Sequence, residues 1–154
     1  MKNKPIEIEP KKQKCPYCHK NLEKIPSKKT KCKFCGNFIF VRTKPPGLEK
    51  ILIKEDEVKK VEECWIKYAL NSFWFSKLRE MGAKNKDFVL MYDILKKRFN
   101  MTPSISDVMW GVFNNVLLKL IQKNNQEKVA ELHELISEFK SVENRGNPEK
   151  LWKY

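Results

Sequence analysis

The sequence Cys15-Pro16-Tyr17-Cys18-His19, followed after a gap by Cys32-Lys33-Phe34-Cys35-Gly36, decides the fold. Four of the five cysteines of the 154-residue chain lie in it, as two C-x-x-C pairs with thirteen residues between Cys18 and Cys32. A C-x-x-C turn lets two thiolates reach one metal ion at roughly 2.3 Å, and two such turns complete a tetrahedron of sulfurs. Cys15, Cys18, Cys32 and Cys35 are therefore the expected ligands of one metal ion. A site closed by four sulfurs leaves no position for water or substrate, so the ion is expected to support folding and not catalysis. Gly36 stands where the chain leaves the second turn, a place that often needs positive φ, which glycine adopts without steric cost. His19 holds the equivalent place in the first turn, and histidine is among the few other residues enriched at positive φ.

Three other chemistries use similar cysteines. Cys15 to Cys18 has the pattern of a glutaredoxin-type redox pair, but such a pair opens a long helix and Pro26 arrives too soon for one. Cys15 to His19 also spells the C-x-x-C-H of c-type haem attachment. The second C-x-x-C at ribbon distance and the charged start Met1-Lys2-Asn3-Lys4-Pro5, without an apolar export segment, argue against it. Rubredoxin-like iron binding has the same ligand geometry, so spacing does not separate zinc from iron. The chain's strong positive charge is unlike that of small electron carriers, and the expected cofactor is one structural zinc ion.

The run from Pro26 through Lys28-Lys29-Thr30-Lys31-Cys32-Lys33-Phe34-Cys35-Gly36, continuing through Ile39, Val41-Arg42-Thr43 and Pro45, resembles a recurring zinc-ribbon family of small bacterial and phage proteins. The likeness is most specific over residues 15–45, about a fifth of the chain. It extends weakly to Ser106-Asp107-Val108-Met109-Trp110-Gly111, which is similar to a helix start in such proteins. His19, where glycine is usual, is the departure within the knuckles, and it leaves the four ligands intact. What the resemblance implies is a rubredoxin-like ribbon joined to helices, with a role linked to nucleic acid and no named reaction.

Net charge is +13, and it is unevenly spread. Residues 1–54 carry 15 basic and 4 acidic side chains, a balance of +11, whereas residues 55–154 carry 17 and 15, a balance of +2. Compositional bias alone would load both halves with lysine, which is observed, but it does not explain why acidic residues thin out in the first half. Four thiolates on a divalent ion would still leave that half strongly basic, and a field of this sign attracts phosphate backbones. Lys28, Lys29, Lys31, Lys33, Arg42 and Lys44 are the expected phosphate contacts, with Phe34 at the tip of the second knuckle as a candidate to stack on a base or to shield the metal.

The expected fold class is α+β: a small N-terminal antiparallel zinc ribbon over residues 14–54, then an all-α bundle of about four helices over 55–145, between a basic tail (1–13) and a C-terminal tail (146–154). Phe38-Ile39-Phe40-Val41-Arg42-Thr43 is rich in β-branched and aromatic residues, Lys44-Pro45-Pro46-Gly47 is a turn, and Leu48 to Lys54 alternates as a returning strand. The first helix opens on Glu55-Asp56-Glu57, carries Val58, Val61, Trp65, Tyr68, Phe75 and Leu78, and stops at Gly82. Cys64 beside that stripe is expected to be a buried small hydrophobe, and Trp65, Phe73, Trp74, Phe75 and Trp110 to be core, with the alternative that Trp74, which interrupts the stripe, marks the seam with the ribbon or an exposed partner surface. Further helices are expected over Lys86–Phe99, from a Ser104-x-x-Asp107 cap to about Lys123, and over Gln126–Val142, the last closed by Gly146 and Pro148. Leu151 and Trp152 could dock back on the bundle.

No catalytic set is evident. His133-Glu134 begins like a metalloprotease helix, but Ser137 stands where the second histidine belongs. No phosphate-cradling glycine loop exists among five glycines, and no apolar run approaches membrane-spanning length. The expectation is a cytoplasmic, non-enzymatic zinc protein that binds DNA or RNA through the basic ribbon, with no membrane and no small-molecule substrate. The alternative is an adaptor in which ribbon and helices recruit an acidic protein partner.

Overall fold

A computed structural model describes residues 13–45 and 49–144. They form two compact units, residues 13–43 with 49–61 and residues 44–45 with 62–144. Among the described residues there are three strands and five helices, and the four-cysteine segment precedes all the helices. The expected α+β class is what is observed. The expected tails apart from Gln13, and Pro46 and Gly47 of the 44–47 turn, lie outside the described residues, as do Gly146, Pro148, Leu151 and Trp152.

In the first unit β1 (Thr30–Lys31), β2 (Phe38–Thr43) and β3 (Lys50–Ile53) form an antiparallel sheet in that order. Thr30 pairs with Ile39 and Lys31 with Phe38, so β1 and β2 are the two legs of the second knuckle. Phe40 pairs with Ile53 and Thr43 with Lys50 across β2 and β3. The first knuckle is flanked by a shorter pairing, with Lys14 bridging Asn21 and Leu22 N donating to the Gln13 carbonyl at 3.0 Å. Among the described residues Cys15, Cys32 and Ile39 form the buried cluster at its centre, with Tyr17, Leu22 and Leu52 among the half-buried residues around them and Ile53 buried on β3. So small an apolar cluster could not hold a sheet of this size without a further cross-link.

A 3-10 turn over Glu55–Glu57 leads into α1 (Val58–Leu70), and Lys54 N donates to Glu57 Oε2 at 2.8 Å. The single helix expected up to Gly82 is instead two, α1 and α2 (Phe73–Glu80). Ser72 makes the break: its Oγ donates to the Ala69 carbonyl at 2.6 Å and accepts from Phe75 N at 3.3 Å, closing one helix and capping the next. Gly82, at φ +99, does end α2, with Ala83 N donating to the Leu78 carbonyl at 2.9 Å. Next come α3 (Asn85–Phe99), α4 (Ile105–Gln122) and α5 (Gln126–Asn144), each within a few residues of expectation. Ser104 caps α4 as its spacing to Asp107 predicts, accepting from Asp107 N at 3.1 Å.

The break at Ser72 resets the rotational phase of the chain beyond it, and of the two readings of Trp74 the core one holds. Trp74 is 2% exposed, packed with its ring edge-to-face on Phe139 at 5.2 Å, so it is a core residue and not an exposed surface. Cys64 is exposed and not buried, because α1 turns Glu62 and Ala69 inward and Cys64 falls off that face. Glu62 is a buried carboxylate satisfied by Lys96 Nζ at 2.7 Å and Thr102 Oγ1 at 3.0 Å. Phe75, Phe88, Val108, Met109, Val112, Phe113, Leu132 and Phe139 complete a core far larger than that of the first unit. Among the described residues no helix is long and apolar enough to cross a membrane.

Candidate metal centre and basic face

Both knuckles are built by the same pair of hydrogen bonds. In the first, Cys15 N donates to the Lys20 carbonyl at 3.0 Å and His19 N to the Cys15 carbonyl at 2.9 Å. In the second, Cys32 N donates to the Asn37 carbonyl at 2.8 Å and Gly36 N to the Cys32 carbonyl at 2.9 Å. Each turn must swing through positive φ to close, and His19 at +58 and Gly36 at +74 supply it, as their positions predict. A β-carbon on Gly36 would meet only Lys31 Cε, at 3.8 Å, so backbone conformation and not crowding is what selects glycine there. Gly36→Ala should therefore destabilise the first unit by about 1–2 kcal/mol, the cost of a left-handed L-residue, read from its denaturant midpoint. A cost as large as that of burying a misfit side chain would show that the space had been misjudged.

The two knuckles bring Cys15, Cys18, Cys32 and Cys35 together, their sulfurs all within 4.8 Å of one another. Cys15 Sγ lies 3.8 Å from Cys35 Sγ and Cys18 Sγ 3.9 Å from Cys32 Sγ. A tetrahedron of sulfurs at roughly 2.3 Å from a central ion has edges of about 3.8 Å, so the donor set fits a metal ion. Cys15 and Cys32 are buried, Cys18 and Cys35 half-buried.

The electrostatics of the sulfurs point the same way. Backbone N–H groups of Cys35 and Phe34 pull the Cys32 thiol down to about 6. Cys18 receives an N–H from Lys20 that lowers it, yet burial and the three neighbouring cysteines push it up to about 11. Once one sulfur ionises, its neighbours resist a second negative charge in the same small volume. A divalent cation among them removes that resistance, which is why coordinated thiols are deprotonated outright.

No family model, curated protein or solved structure matches this chain. The site must be read from its own geometry.

Most of the expected phosphate contacts are in place to meet solvent, but they are not equivalent. Lys28, Lys29, Lys31, Lys33 and Lys44 are exposed. Lys33 is shared with Glu23 at 3.3 Å, a fully solvated pair that contributes little to stability. Arg42 is half-buried, its Nη1 donating to the Val41 carbonyl at 2.9 Å and its Nε enclosed, so it is less available than its charge suggests. Phe34, in the second knuckle, is 53% exposed, with Lys20 Nζ 4.9 Å from its ring centre.

Sequence reading passed over Phe38 and Phe40. Alternation along β2 places both on the face opposite Ile39, with Lys31 paired beside Phe38. Lys29 Nζ stands 4.7 Å from each of the two ring centres, and the Arg42 guanidinium 5.8 Å from that of Phe40. The signal was present, since a period of two through Phe38, Phe40 and Arg42 implies a shared face. Only the pairing register adds the lysines.

Proposed function

We propose that the first unit is a zinc ribbon that binds nucleic acid along its phosphate backbone and catalyses no reaction. One observation carries this reading: Phe38, half exposed, and Phe40 share a sheet face with Lys29 and Lys31, so that cations and aromatic rings interleave on a small rigid platform. That combination suits binding of nucleic acid without a demand for one sequence, because cations meet phosphate while rings stack on bases. Zinc is preferred to iron because a closed four-sulfur site on a strongly basic body has the character of a structural cross-link. Cys15, Cys18, Cys32 and Cys35 would hold the ion, whose part is to fix the two knuckles against each other.

A salt titration of binding to single- and double-stranded DNA and RNA tests the reading. Each neutralised phosphate adds roughly 0.7–0.9 to the slope of log affinity against log salt. Lys28→Glu, Lys29→Glu and Lys31→Glu together should reduce that slope by about 2 to 3 and abolish binding at physiological salt. A flat slope for the natural protein, or no binding at low salt, overturns the proposal.

The adaptor reading finds support in the second unit, where α3 and α4 leave Leu90, Ile94, Leu118 and Ile121 exposed. Under it, the same charge reversals would abolish capture of an acidic protein while affinity for nucleic acid was negligible from the outset.

A further inference from the structure

Behind the second knuckle the first unit holds a cleft of about 410 Å³ that the phosphate-binding reading does not use. Its volume falls in the range of pockets that enclose small planar ligands. Its lining is mostly apolar, with Ile39 buried at the base, Ile25 exposed at the mouth and the half-exposed ring of Phe34 beside them. Lys24, Lys28 and Lys31 also line it, and among the described residues none of the three has a carboxylate partner. The carboxylate at the cleft, Glu23, is already paired with Lys33. An apolar slot with an aromatic wall and unpaired cations around it is complementary to a base flanked by phosphates.

We propose that this cleft receives one unstacked base of a single-stranded nucleic acid, with Phe34 stacking on the base and Lys24, Lys28 and Lys31 holding the neighbouring phosphates. The inference rests on the nucleic-acid reading above and narrows it. A duplex buries the faces of its bases, so the slot selects single strands. Phe34 is the specificity-determining residue, because a base without an aromatic partner gains little from leaving its stack.

The test uses the full chain and a short single strand carrying one 2-aminopurine, whose emission falls when it stacks on an aromatic ring. Binding should quench the emission, and Phe34→Ala should remove most of the quench and weaken binding roughly 5- to 150-fold, the span of one base–aromatic stack. A strand of the same length with abasic sugars should bind the natural protein about as weakly as the normal strand binds Phe34→Ala. Ile25→Asp, an exposed change that should not disturb folding, supplies a second variant and should act in the same direction. Unchanged emission, or an abasic strand or duplex held as tightly as the single strand, overturns the inference while leaving phosphate binding intact. Absence of binding to every nucleic acid overturns both.

Discussion

Removing the metal with a strong chelator should unfold residues 13–53 and leave the helices standing. The sulfur cluster and Ile39 are the centre of the first unit, and the apolar residues around them are few and half-buried. Structural zinc contributes about 10–16 kcal/mol in small peptide domains, more than such a sheet could recover from its own contacts. The core of the second unit, from Ala69 to Phe139, includes none of these residues, so helical circular dichroism should persist. Thiol titration makes the result quantitative. Cys64 is exposed and should react at once, while Cys15, Cys18, Cys32 and Cys35 should resist until the chelator is added. Acid should act as the chelator does, because protons compete with the cation for thiolates and the grip weakens as pH falls. Elemental analysis finding no metal in fresh protein, with all five thiols equally reactive, would remove the foundation of the metal reading. Cys32→Ser should reproduce the loss without any chelator.

The four-cysteine cluster was legible because its determinants are local. Two cysteines three residues apart, with a residue able to take positive φ one place beyond the second cysteine, specify a knuckle without reference to the rest of the chain. The Ser104 cap and the Phe38–Thr43 strand were legible for the same reason. The basic face was not, since Lys29 reaches Phe38 and Phe40 only through the register that pairs β1 with β2. The first helical segment was misread because Trp65, Tyr68, Phe75 and Leu78 continue a plausible helical stripe across Ser72. A serine hydroxyl that bonds backward to Ala69 and forward to Phe75 breaks the helix at no cost in satisfied groups, and periodicity has no means of registering it. The burial of Trp74 follows from that break, whereas Cys64 lies before it and is exposed because α1 turns Glu62 and Ala69 inward.

Phe139→Ala should be the most damaging single change in the helical unit. Phe139 is fully buried on α5, and three aromatic rings meet its own: Trp74 at 5.2 Å, Trp110 at 5.5 Å and Phe113 at 5.1 Å, all near perpendicular. Deleting a buried phenyl group costs about 3–5 kcal/mol, and edge-to-face pairs each add about 0.5–1.5 kcal/mol beyond the area they bury. How far the neighbours can collapse decides where in that range the loss falls. Trp110 is tied by its indole Nε1, which donates to Glu143 Oε2 at 3.1 Å, and Glu143 also bonds Ser106, so the ring cannot swing into the space without losing a polar partner. Trp74 and Phe113 are themselves 2% and 0% exposed and have no slack. The cavity should therefore persist, the loss should reach the upper part of the range, and the melting transition should fall by about 4–8 °C per kcal/mol for a unit of this size. Ile121→Ala, at a site 53% exposed on α4, should shift it hardly at all. Equal shifts for the two variants would mean that the aromatic cluster is not the centre of the helical unit. A fall in the stability of the helical unit with no change in the thiol reactivity of Cys15, Cys18, Cys32 and Cys35 would separate the work of the helices from that of the cysteine-bearing sheet.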